Sequence, residues 1–92
     1  MRQARKNWTR EQIRAARKTP LNEVLERRGW TLRHTGAGNF VPAKHPGIIV
    51  KDCYWRNPDA DSAGNTIDFL VDVIGCSFAQ AMQEIMQVES TQ

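Results

Sequence analysis

The hydrophobic period of this chain changes at Gly29 and changes back at Asn65, and those two switches limit the folds open to it. Up to Gly29 the apolar residues keep helical spacing. From Trp30 to Arg56 they fall in short runs separated by turn residues, the pattern of strands. After Asn65, Ile67, Leu70, Val71 and Ile74 return to helical spacing. The order is helix, helix, strands, helix, helix. That order predicts an α+β fold in which a small antiparallel sheet carries two N-terminal and two C-terminal helices.

The helix boundaries can be read from their caps. Thr9-Arg10-Glu11-Gln12 has the form of a capping box, with Trp8 and Ile13 placed as a hydrophobic staple. The first helix should run to about Lys18. It is poor in apolar residues, holding Ile13, Ala15 and Ala16, so only loose docking is expected. Thr19 is expected to cap the second helix, with Pro20 in its first turn, Leu21, Val24 and Leu25 as its core stripe, and Gly29 as its stop. Arg27 and Arg28 lie in its last turn, where they complement the helix dipole.

Trp30–His34 and Asn39–Val41 read as strands joined by a turn at Gly36–Asn39. Ile48–Val50 and Cys53–Arg56 read as a second pair around Lys51-Asp52. Residues 57–64 are expected to form a polar loop. Asn65 caps the third helix, Gly75 ends it, and Ser77-Phe78-Ala79-Gln80 opens the fourth with another capping box. Phe78, Met82, Ile85 and Met86 form its expected core stripe. The tail from Val88 is expected to fray. The chain is thus divided into a basic helix at 1–18, a folded domain at 19–88 and a tail at 89–92.

Charge is distributed unevenly. Residues 1–33 carry ten Lys/Arg against three Asp/Glu, a net +7, and residues 34–92 carry three against seven, a net −4. A basic region of that density suits phosphate or an acidic partner. Nothing approaches the ~18 uninterrupted apolar residues of a membrane span. No apolar signal segment follows the basic start Met1–Lys6, and the two cysteines, Cys53 and Cys76, make no disulfide framework. A cytoplasmic location is therefore expected.

The block Gly64-Asn65-Thr66-Ile67-Asp68-Phe69, followed by Gly75-Cys76-Ser77-Phe78-Ala79-Gln80-Ala81, resembles the end of the zinc-binding, template-recognition domain of bacterial DNA primases. That family reads Gly-Gly-Asn-Ala-Ile-Asp-Phe, then a helix, then Gly-x-Ser-Phe-x-x-Ala. The resemblance extends over about residues 20–87. It implies a zinc-ribbon-like sheet and a contact with single-stranded template DNA. The family holds zinc with a Cys-x2-His pair and a later Cys-x2-Cys pair. Here the first pair falls on Pro42 and His45, and the second falls near Cys53 to Arg56 with only one cysteine. A structural zinc site is four-coordinate. No zinc and no other cofactor is therefore expected, and the chain looks like the zinc-free relatives found in primase-like proteins of phages, plasmids and conjugative elements. In those proteins a catalytic domain follows, which ninety-two residues are too few to include.

No catalytic residue stands out, and an enzyme is not expected. Asp59-Ala60-Asp61 reads as a turn, not a metal site, and the histidines and cysteines show no nucleophile–base pattern. The expected function is single-stranded DNA binding through a basic helix and strand aromatics. Arg10, Arg14, Arg17 and Lys18 stand on the first helix, and Arg33, Lys44, Lys51 and Arg56 around the strands. Trp55 is the stacking candidate. Strand alternation puts Tyr54 and Trp55 on opposite faces without choosing which is exposed. The alternative is a freestanding phage or mobile-element protein that binds and inhibits a host protein, for which a charged surface is equally suited. The oligomeric state is left open.

Overall fold

The computed structural model describes residues 8–90. Its elements are α1 (Arg10–Lys18), α2 (Leu21–Arg27), β1 (Leu32–Gly36), β2 (Asn39–Pro42), β3 (Ile49–Lys51), β4 (Tyr54–Asn57), β5 (Ser62–Asn65), a third helix, and α4 (Phe78–Ser90). The third helix, called α3 below, opens with an α-turn at Thr66–Asp68 and continues as a π-helix over Phe69–Ile74. The strands form one antiparallel sheet in chain order. The fold is therefore α+β, with two helices before the sheet and two after it. The basic start Met1–Lys6 and the last residues Thr91 and Gln92 lie outside the described residues.

Local chemistry explains the boundaries. Thr9 Oγ1 accepts from the Gln12 N–H at 3.0 Å and Gln12 Oε1 accepts from the Thr9 N–H at 2.9 Å, closing the first capping box. Ser77 and Gln80 close the same reciprocal pair at the start of α4. The β1–β2 hairpin turns on Ala37 and Gly38, both at positive φ, as a two-residue turn that matches strand twist requires. Gly75 ends α3 in the left-handed region, with its N–H on the Leu70 carbonyl at 3.0 Å.

Two cores are built on either side of α2 and α3. Leu21, Leu25 and Phe69 pack onto the inner sheet face with Ile48, Val50 and Trp55. Val24, Ile67 and Leu70 point the other way and pack with Ala16 of α1 and with Ala81, Met82 and Ile85 of α4. Ile74 touches both cores. Phe69 and Leu70, adjacent on α3, enter different cores, as Val24 and Leu25 do on α2.

Several expectations are corrected. Thr19 does not cap α2. Pro20 occupies that position without a side-chain cap, while the Thr19 hydroxyl donates back to the Ala15 carbonyl at 2.9 Å and the Thr19 carbonyl accepts from Thr66 Oγ1 at 2.6 Å. The first helix is not loosely docked. Ala16 is fully buried, and Trp8 and Ile13 pack beside it, because a small side chain lets α1 approach α3 and α4 closely. Residues 57–64 are not all loop, since Ser62–Asn65 forms β5 and pairs with all of β4. α4 runs to Ser90. Phe78 is 45% exposed at the first turn of α4, where the helix has not yet reached the core.

Trp55 is also corrected. It is 3% exposed, meets the Phe69 ring edge-on at 5.6 Å, and cannot stack on a base. Its cross-strand partners are Val50 and Gly64, which place it on the helix-covered face. Tyr54 therefore faces outward and is 67% exposed.

Candidate nucleic-acid interface

The block Gly64–Phe69 is a joint between sheet and helix. Asn65 Oδ1 accepts from the Asp68 N–H at 3.0 Å, and Asp68 Oδ2 accepts from the Asn65 N–H at 3.1 Å. The Asp68 side chain lies so close over Gly64 that a Cβ there would stand 2.6 Å from the Asp68 Cβ. Ile67 and Phe69 supply one side chain to each core. Every residue of the block except Thr66 thus has a role at the β5–α3 junction, and Thr66 ties that junction to Thr19 at the end of α1.

No described helix covers the outer face of the sheet. The register fixes which residues share it. Arg33 lies opposite Val41, Lys51 opposite Asn39 and Tyr54, Ile49 opposite Arg56, and Arg56 opposite Ala63. Alternation then places Arg33, Lys51, Tyr54 and Arg56 on the same face. Tyr54 and Arg56 are about 7 Å apart along β4, and Arg33 stands three strands away, about 14 Å across the sheet. A shallow hollow of about 370 Å³ lies among Asn39, Ile49, Lys51, Tyr54, Arg56 and Ala63. None of the five strands contains Asp or Glu.

The nine expected contact residues do not form one surface. Arg33, Lys51 and Arg56 share the open face. Arg10, Arg14, Arg17 and Lys18 are exposed on α1, which packs against α3 and α4 and not on the sheet. Lys44 sits on the loop after β2, its Nζ 5.2 Å from the centre of the Trp30 ring. Trp55 is in the core. Tyr54, which expectation left undecided against Trp55, is the aromatic this face presents. The pairing of Trp55 with buried Val50, known only from the register, decides between them.

No protein-family model, curated protein or solved structure matches this chain. Among the described residues, no three of His, Cys, Asp and Glu come together as a metal-binding group. His45 instead stacks on Trp30 at 5.5 Å and His34 on Phe40 at 4.9 Å. Cys53 and Cys76 are free thiols, and Cys76 Sγ lies 4.0 Å from Nη2 of Arg28. Arg28 is held by Glu84 of α4 at 2.7 Å, so one of the two arginines ending α2 serves as a cross-link between helices. No described helix is long and apolar enough to cross a membrane.

Proposed function

We propose that this chain is a non-catalytic, primase-type module that binds single-stranded DNA on the open face of its sheet. Tyr54 is the stacking side chain, and Arg33, Lys51 and Arg56 contact phosphates. The observation that carries this proposal is the composition of the face. An exposed aromatic and three basic side chains share it, and no carboxylate stands in any strand. Single strands are bound in this way, by stacking on aromatic platforms beside cations that follow the backbone. Duplex DNA would suit the face less well, since its bases are already stacked on one another.

Fluorescence anisotropy with a labelled single-stranded oligonucleotide, at about 50 mM and about 200 mM salt, tests the proposal. Binding should weaken as salt rises, and Tyr54→Ala should weaken it further without changing the melting temperature. A protein that binds no single strand at the lower salt overturns it.

A further inference from the structure

A second surface lies in the helical layer, away from the sheet. Ile13, Ile67, Val71 and Phe78 form the apolar floor of a groove of about 460 Å³ between α1, α3 and the start of α4. Phe78 is 45% exposed, although Ala81, Met82 and Ile85 on the same helix are fully buried. Phe78 carries the apolar lining of Ile13 and Val71 out to the mouth of the groove, so the exposed ring belongs to one continuous apolar surface. The rims differ in charge. Arg17 lines the groove one turn after Ile13, and Arg10 and Arg14 align with Arg17 at helical spacing, so this side of α1 is basic. Among the described residues, none of these arginines makes an ion pair. Asp68 stands on the opposite rim, with Asp72 one turn further along.

We propose that this groove is a docking site for an amphipathic helix of a partner protein. The partner has an apolar ridge, an acidic flank facing α1 and a basic flank facing Asp68 and Asp72. Three observations select this occupant. The groove walls are helices, and Ile13 and Arg17 of α1 line it one turn, about 6 Å, apart, a span that one turn of a partner helix matches. A strand would need free backbone groups at the β5 edge. At Asn65, where β5 meets the groove, the N–H is already bound by Asp68 and the carbonyl by Trp55. A nucleic acid following the arginines would bring its phosphates toward Asp68 and Asp72 across an apolar floor, which disfavours it.

The test is a selection of displayed helical peptides on the full chain. Each peptide has a fixed apolar ridge, and its flanking positions are randomised between Glu and Lys. The expected winners carry Glu on one flank and Lys on the other. Reversing the charge of α1 with R10E, R14E and R17E together should move Lys to the flank that faces α1. Phe78→Asp should weaken the selected peptides at least tenfold. Aspartate is favourable in a first helical turn, so circular dichroism should show the fold of this variant intact. Tyr54→Ala should leave peptide binding unchanged, which separates this surface from the sheet face. Failure of any peptide to enrich, winners without charge bias, winners unaffected by charge reversal, or undiminished binding to the folded Phe78→Asp variant each overturn the proposal.

Discussion

The indole N–H of Trp55 donates to the backbone carbonyl of Asn65 at 3.0 Å. This one bond joins the middle of β4 to the residue that ends β5 and caps α3. Trp55 thereby fixes the sheet to the helix as well as filling the core. Trp55→Phe keeps most of the packing but leaves the part-buried carbonyl without that donor. A loss of about 1–3 kcal/mol in urea unfolding is expected. Trp55→Ala adds a cavity and should cost about 3–5 kcal/mol.

Gly64 lies under Asp68, and an added methyl would stand 2.6 Å from the Asp68 Cβ. Gly64→Ala must displace either the strand or the cap. It should destabilise the protein by about 1–3 kcal/mol. Gly47→Ala is the matched control, because its nearest non-neighbouring atom would be 3.7 Å away. Denaturation midpoints for the two variants should separate clearly, with Gly47→Ala within about 0.5 kcal/mol of the parent.

Loss of the Tyr54 ring should reduce single-strand affinity by about 1–3 kcal/mol, while Tyr54→Phe keeps the stacking surface and most of the affinity. Lys51→Gln and Arg56→Gln should each lower the slope of log affinity against log salt by about 0.7. Anisotropy titrations across several salt concentrations measure both effects.

Arg28 and Glu84 form an ion pair at 2.7 Å between side chains that retain about a quarter of their exposure. Solvent screens such a pair, so Glu84→Gln should change stability by less than about 1 kcal/mol. Added salt should reduce the difference further when parent and variant are melted side by side.

Strong local signals made the helix starts legible. The boxes at Thr9–Gln12 and Ser77–Gln80 form as their residue types demand, and Leu21, Val24, Leu25, Ile67, Leu70, Met82 and Ile85 are all buried. β5 was not legible because Ser62-Ala63-Gly64-Asn65 has no β-branched or aromatic residue. Its pairing with β4 makes it a strand, and that is a tertiary effect. Phe78 was misplaced because a helical stripe shows which residues align but not how far the facing core extends.

On the open face, the basic residues could be named from the sequence, but not their grouping. Arg33, Lys51 and Arg56 come together only once the register is known, whereas the i, i+4, i+7 spacing of Arg10, Arg14 and Arg17 aligns them on one face of α1 from sequence alone. Choosing Tyr54 over Trp55 required knowing that Val50 points inward, and the uninterrupted apolar run Ile48-Ile49-Val50 does not reveal that.

The π-turn at Phe69–Ile74 has a consequence for how the protein comes apart. Ile74 is shared between the two cores, and the turn itself directs neighbouring side chains into each. Release of either core should therefore disturb that turn and with it the other core, and a single melting transition is expected. Tryptophan fluorescence, circular dichroism and calorimetry should report one and the same midpoint.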